Sequence, residues 1–347
     1  MLAAVLHGRE DLRVEEVPRP TISTDEVLLR CRAAAICGTD KRIYQTGHNR
    51  VPAGSKRILG HELAGEVIEV GRGVPHIKEG MRAAVAPNFG CGSCAVCARG
   101  WHHLCPEYGA IGLTVDGGFA EYVRIPSIAL QQGCLIEMPE GLSFAEGALN
   151  EPLACVYNGY VRCPTKVGDT VLIVGTGPVG MMLIQVLRLG GGRPIIVANR
   201  SDSRFGLALE LGADHTIDYS RQDLVRSVME LTDESGADVV FIACPSAQIQ
   251  ETVLDLAALH GRINFFSGLP EGEGVISFNS NAVHYKELVV TGSHGCCTYH
   301  CREALKLQES HSVNQKPLIS NVFPLGQAEE AMAAALTRKG LKTIIEP

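Results

Sequence analysis

The chain has no long basic run, and its formal net charge is -7. That argues against nucleic acid as a main partner, because phosphate contacts need clustered Lys and Arg. No uninterrupted apolar run reaches the ~20 residues that span a bilayer, so no membrane segment is expected. The N-terminus, MLAAVLHGRED, lacks a basic stretch followed by an apolar one, so no secretory signal is read there. Hydrophobic residues make up 46% and charged residues 20%, a balance that excludes a disordered chain. These absences leave a soluble, cytoplasmic, globular protein as the expectation. Its 347 residues are long for one hydrophobic core, so two domains are expected.

Cysteine is present in quantity, with 13 in the chain. In a reducing compartment, clustered cysteines point to metal ligands more than to disulfides. Cys91, Cys94, Cys97 and Cys105 follow a C-x2-C-x2-C-x7-C pattern. Four thiolates close a tetrahedral zinc completely and leave no position for a substrate, so this site is structural. The surrounding lobe, about 90–106, holds Gly90, Gly92 and Gly100 and few large apolar residues, and needs a metal in place of a core. Cys296, Cys297 and Cys301, with His294 and His300, form a further group. Their order matches no familiar ligand spacing, and small buried cysteines are common.

A second kind of site is written in Cys37, His61 and Glu62. Thiolate, imidazole and carboxylate are side chains that a catalytic zinc takes, with a position left open. Cys37 opens a short helix through Gly38-Thr39-Asp40, and His61-Glu62 opens a strand. Glu151 stands in Asn150-Glu151-Pro152 at a helix start, where a carboxylate also suits the helix dipole.

The first 37 residues read as three strands, Leu2–Leu6, Leu12–Val17 and Val27–Ile36, so the opening is β-rich. From about residue 168 the pattern changes. Thr170–Val174 is a buried-type strand, followed at once by Gly175-Thr176-Gly177-Pro178-Val179-Gly180 and an apolar helix. Strand, G-x-G-x-x-G and helix in that order form a dinucleotide fingerprint. The glycines allow a tight turn and close approach to a pyrophosphate, and the helix N-terminus offers its free N–H groups. The next strand ends in Asn199 rather than an acid, with Arg200 beside it and Arg204 a turn later. Asn does not repel a 2′-phosphate, and Arg pairs with one, so NADP is allowed beside NAD. Later units alternate strand and helix, including a helix over Ala247–Leu259 and a strand over Arg262–Phe266. The fold class is therefore α/β, a doubly wound parallel sheet over about 156–292 behind a β-rich part.

In combination, CGTD at Cys37, GHE at His61, the four-cysteine lobe, NEP around Glu151 and GTGPVG at Gly175 carry a resemblance. The chain resembles the zinc-dependent medium-chain alcohol dehydrogenases, in their polyol and L-threonine dehydrogenase branch. The resemblance implies a GroES-like catalytic domain over 1–155, a Rossmann domain over 156–292, and a return of 293–347 to the first. It implies two zinc ions per chain, with Cys37, His61, Glu62 and Glu151 at the catalytic one, and NAD or NADP as cofactor. It implies that Gly175, Gly177, Pro178, Val179 and Gly180 hold the pyrophosphate, and that Thr39 begins a proton relay. Relatives usually have a histidine five residues after the zinc cysteine; here it is Arg42, which does not pass protons on readily. A small-molecule alcohol substrate and a dimer or tetramer are likewise implied. The alternatives are L-threonine oxidation and a non-catalytic zinc or nucleotide-binding protein on the same fold. Tyr44 and Glu121 are candidates for lining a substrate pocket.

Overall fold

The computed structural model describes every residue except Asn49 and Ala53. It divides into two compact units. Unit 1 comprises Met1–Ala154, Gly295–His311 and Gln315–Pro347; unit 2 comprises Cys155–His294 with Ser312–Asn314.

The N-terminal part of unit 1 contains β1 (Leu2–Gly8), β2 (Asp11–Glu16), β3 (Val27–Ala35), α1 (Gly38–Thr46), β4 (Arg57–Ile58), β5 (Glu62–Val70) and β6 (Arg82–Val85). After these come β7 (Asn88–Phe89), β8 (Gly109–Ala110), β9 (Tyr122–Ile125), α2 (Ser127–Gln131), β10 (Leu135–Glu137), α3 (Phe144–Ala148) and α4 (Asn150–Arg162), which passes from unit 1 into unit 2 after Ala154. Unit 2 continues with β11 (Val171–Val174), α5 (Pro178–Leu189), β12 (Ile195–Asn199), α6 (Phe205–Glu210), β13 (His215–Asp218) and α7 (Leu224–Leu231). It is completed by β14 (Ala237–Ile242), α8 (Ala247–Leu256), β15 (Ala257–Phe265), α9 (Ser280–Tyr285) and β16 (Val289–Gly292). The chain then supplies α10 (Thr298–Glu309), β17 (Ile319–Pro324), α11 (Ala328–Leu336) and β18 (Lys342–Glu346).

Unit 1 is built on a seven-stranded sheet of order β10-β6-β5-β3-β18-β17, with β9 also pairing β3. In β3 the sequence VLLRCRAAA buries all but Arg30 and Arg32, which point to the outer face. β18 lies antiparallel to β3, with Ile344 opposite Ala35 and Ile345 opposite Ala34. The last strand of the chain is thus an interior strand of the sheet that contains β3, while β1, β2 and β4 form a separate three-stranded sheet.

Unit 2 is a six-stranded parallel sheet of order β13-β12-β11-β14-β15-β16. Every residue of β11 is buried, as a parallel strand covered on both faces requires. The order reverses between β11 and β14, the position at which open sheets of this kind form a ligand crevice. Helix starts follow local chemistry: the Asp223 carboxylate accepts from the Arg226 N–H at 2.8 Å to cap α7. Pro178 stands at the first turn of α5, where its missing N–H is no loss.

One expected boundary is corrected. The helix read over Ala247–Leu259 ends at Leu256, and β15 runs from Ala257 rather than from Arg262. Ala257 pairs with Ala237 before the register shifts to Arg262 opposite Val239. An apolar run such as LAAL fits either element, and here pairing to β14 decided. β17 was not anticipated: its alternation of half-buried and exposed residues lies between two prolines, Pro317 and Pro324, that read as breakers.

Candidate functional site

Sheet pairing creates the first cluster. β3 and β5 run antiparallel with Ala35 opposite Glu62, so the chain leaving β3 at Cys37 meets the chain entering β5 at His61. A donor atom from each of Cys37, His61 and Glu62 lies within 4.8 Å of the others. Gly60 makes the entry possible. It has φ of +94°, and a Cβ there would sit 2.6 Å from the Phe119 ring.

Asp40, fully buried in the first turn of α1, orients two members of this cluster. Its Oδ2 accepts from the Cys37 N–H at 2.8 Å, and its Oδ1 lies 3.4 Å from His61 Nδ1. Burial opposes a charge on His61, but its neighbours Asp40 and Cys37 outweigh it and raise its pKa well above the ordinary value. In the metal-free state His61 therefore holds its proton, which a metal bound there would displace. Glu62 is fully buried, and both its oxygens accept from Lys342 Nζ. Neither Asp40 nor Lys342 was singled out from the sequence. Asp40 had a local signal, an acid three residues after the helix-capping Cys37. Lys342 is 280 positions from Glu62, and no local pattern connects them.

Glu151 lies in another group. Its Oε1 is 3.8 Å from Cys296 Sγ, which in turn is 3.6 Å from Cys301 Sγ. Its charge nonetheless acts on Lys342, together with those of Glu62 and Cys37. Of the cysteine–histidine group read around residue 296, Cys297 Sγ faces His300 Nδ1 at 3.4 Å, and burial holds His300 down at about 4. His294 belongs to unit 2. Thr39 is half-buried in the first turn of α1, and Arg42 is exposed farther along it. Tyr44 donates to the Glu10 carbonyl at 3.2 Å, and Glu121 accepts from the Leu2 N–H at 2.7 Å, so both tie backbone together.

The four-cysteine lobe forms a closed cluster. One Sγ from each of Cys91, Cys94, Cys97 and Cys105 lies within 4.8 Å of the rest. The Cys94 and Cys105 sulfurs are 3.8 Å apart. That separation is the edge of a tetrahedron with metal–sulfur bonds of about 2.3 Å. Hydrogen bonds from Ser93 pull Cys91 down to about 6, whereas burial pushes Cys97 up to about 12. All four must be thiolates to ligate a metal, so the donor set and its spacing fit zinc.

In unit 2 the glycine loop joins β11 to α5. Gly175 has φ of +117°, and a Cβ on Gly180 would lie 1.9 Å from the Gly175 carbonyl oxygen. At Gly177, the N-cap of α5, a Cβ would meet nothing within 4 Å. The backbone is therefore open where a phosphate would approach. Thr176 Oγ1 is buried and has no hydrogen-bond partner among the described residues. An orphaned hydroxyl beside an open helix N-terminus fits a dinucleotide. Arg204 Nη1 donates to the Thr176 carbonyl at 3.1 Å, which fixes that arginine beside the loop. Asn199 Nδ2 donates to the Ser201 carbonyl at 2.9 Å, and Arg200 is exposed at the end of β12.

Comparisons with known proteins agree with both units. Residues 23–136 match the alcohol dehydrogenase GroES-like domain, and residues 178–310 match the zinc-binding dehydrogenase domain. A sorbitol dehydrogenase of Halalkalibacterium halodurans is 32% identical over 351 residues, covering 100% of this chain and 98% of the relative. An L-threonine 3-dehydrogenase of Pyrococcus horikoshii is 34% identical, covering 96% and 94%. A zinc-binding dehydrogenase of Sinorhizobium meliloti, solved with NADP bound, has a TM-score of 0.92 at 32% identity and covers 100% of this chain and 99% of its own. With both domain matches, full-length relatives and a donor set suited to zinc, the chain belongs to the zinc-dependent medium-chain alcohol dehydrogenase family.

Proposed function

We propose that this chain oxidises a secondary alcohol of a polyol, sugar or sugar acid, with NAD(P) as hydride acceptor. The observation that carries the reading is the meeting of Cys37, His61 and Glu62 at the β3–β5 junction. Zinc, when bound, polarises an alcohol oxygen, and the nicotinamide accepts the hydride. The chain's own residues supply the rest. Cys37, His61, Glu62 and Glu151 are the residues proposed to face the catalytic metal, and Cys91, Cys94, Cys97 and Cys105 to hold the structural one. Asp40 keeps Cys37 and His61 in place. Thr39 Oγ1 accepts the alcohol proton as its own hydroxyl proton passes on to water or to the cofactor ribose, because a guanidinium at Arg42 has no lone pair to relay it. Gly175, Gly177, Pro178, Val179 and Gly180 orient the pyrophosphate. Asn199, Arg200 and Arg204 surround the adenosine ribose and accommodate a 2′-phosphate. The NADP held by the Sinorhizobium meliloti protein supports that last assignment.

Sorbitol dehydrogenases of Halalkalibacterium halodurans and Bacillus subtilis among the relatives support a polyol substrate. The second reading, L-threonine, is favoured by the L-threonine 3-dehydrogenases at 33% and 34% identity. Among the described residues, no helix is long and apolar enough to cross a membrane. Self-association through the β16 edge is supported by the exposed Val289 and Tyr285.

A panel of polyols, sugars, sugar acids and L-threonine, run with NAD and NADP in parallel, tests the reading. Reduction of cofactor with a polyol or sugar is expected, and Cys37→Ser is expected to abolish it with loss of one zinc. Reduction with L-threonine alone selects the second reading. No reduction with any alcohol by protein holding both zinc ions selects a non-catalytic role.

A further inference from the structure

Lys342 stands where few lysines stand. It is 4% exposed, its partner Glu62 is fully buried, and its ammonium donates to both oxygens of that carboxylate. The sheet puts it there. Ile344 and Ile345 of β18 pair with Ala35 and Ala34, and the Ile36 N–H donates to the Thr343 carbonyl at 2.9 Å. One residue further, Lys342 lies alongside Cys37, while Glu62 flanks the same end of β3 from β5.

We propose that Lys342 is a positioning residue that keeps Glu62 an exchangeable ligand, and so holds metal affinity at the Cys37 cluster below what Cys37, His61 and Glu62 would give without it. The proposal rests on reading that cluster as a metal site.

Two physical arguments set the sign, and they agree. An ammonium in contact with both carboxylate oxygens draws electron density from the lone pairs a metal would use. Its positive charge also repels a divalent cation a few ångströms away. Removing the charge leaves the metal-free protein with a buried carboxylate that lacks its cation, whereas a bound metal compensates that carboxylate itself. The metal-free state therefore loses more than the metal-bound state, and affinity rises. Lys342 Nζ sits against both oxygens of Glu62 with both side chains buried, the geometry of a buried ammonium–carboxylate ion pair. Lys41 lies near the same group, but its ammonium is turned to the Ala335 carbonyl at 3.5 Å. Lys342 is thus the cation in contact with the ligand carboxylate. A site that exchanges alcohol and ketone on every turnover gains from a ligand held in this way.

If Lys342 only anchored β18, its loss would weaken metal binding together with the fold. The test is zinc content of the full-length protein in chelator buffers of graded free zinc, for wild type, Lys342→Met, Lys342→Arg and Cys37→Ser. The zinc equivalent lost in Cys37→Ser reports the cluster, and the other equivalent reports the cysteine lobe. In Lys342→Met, half-occupancy of the cluster is expected at about tenfold lower free zinc than in wild type. Lys342→Arg, which keeps the charge, is expected to match wild type. Should Lys342→Met not fold, Lys342→Gln removes the charge while leaving an N–H for Glu62 and is expected to show the same shift. An unchanged or higher free-zinc midpoint in the charge-removing variant overturns the proposal while leaving the metal site intact. Wild-type protein with a single zinc, unaltered by Cys37→Ser, overturns the metal-site reading and this proposal with it.

Discussion

Asn199 ends β12 at the position where an acid would hold a ribose hydroxyl, and its side-chain amide is turned back to the Ser201 carbonyl. Arg200 beside it is exposed, and its charge reaches Tyr219. Arg204 is already engaged with the Thr176 carbonyl, so Arg200 is the side chain with more freedom to meet a 2′-phosphate. Arg200→Ala should lower kcat/KM with NADP by about tenfold, the value of one charge-assisted contact, and leave NAD within about twofold. Parallel kinetics with the two cofactors, and binding of 2′,5′-ADP against ADP, check it. An equal loss with both cofactors would place Arg200 outside the phosphate subsite. At this scale, what lies close along the chain was legible: Cys37 at the start of α1, His61 beside Glu62 at the start of β5, and the glycines of 175–180 between β11 and α5. Asp40 was visible as a residue, but its contact with His61 required the β3–β5 pairing.

The element most dependent on something other than packing is the cysteine lobe between β7 and β8. Phe89, Cys97, Cys105 and Ala110 are its buried apolar residues, while Trp101 and Leu104 are exposed. A metal held by Cys91, Cys94, Cys97 and Cys105 would stand in for the missing core. Chelation of the structural zinc should leave this lobe unfolded while β3 and β5 remain paired. Limited proteolysis should then cut within 91–105 at least about tenfold faster than in the loaded protein. Cleavage elsewhere first would contradict this. A second element-scale prediction concerns the joint between α5 and β13. Asp214 accepts from the Ile195 N–H at 2.7 Å and pairs with Arg188. Burial works to raise its pKa, but the Ile195 N–H and Arg188 outweigh burial and lower it. A carboxyl depressed in the folded state adds stability above its unfolded pKa of about 4, and that stability is lost as pH falls through the folded value. Asp214→Asn should therefore lower the denaturation midpoint at neutral pH, with an effect that shrinks as pH falls through the lowered folded pKa of Asp214. Equal losses at neutral and acid pH would show that geometry, and not charge, is what Asp214 contributes.

Over the whole molecule, unit 1 is closed by the last residues of the chain. β18 lies between β3 and β17 with Ile344 and Ile345 fully buried. Ile345→Ala should cost about 2–5 kcal/mol, the range for emptying a core position. Chemical denaturation measures this, and hydrogen exchange should show it at β3 as well as at β18. Protection lost only at β18 would mean that the strand is peripheral. The sequence by itself determined the alternation of strands and helices that makes unit 2 a parallel sheet, the glycine loop and the four-cysteine lobe. Each of these is encoded within a few tens of residues, by periodicity or by donor spacing. Only the tertiary structure decided that Lys342 meets Glu62, that Glu151 lies with Cys296, and that Ala257–Leu259 joins a sheet instead of extending α8. The first two join residues 280 and 145 positions apart and the third depends on pairing with β14, and local sequence holds no record of such contacts until burial and register select them.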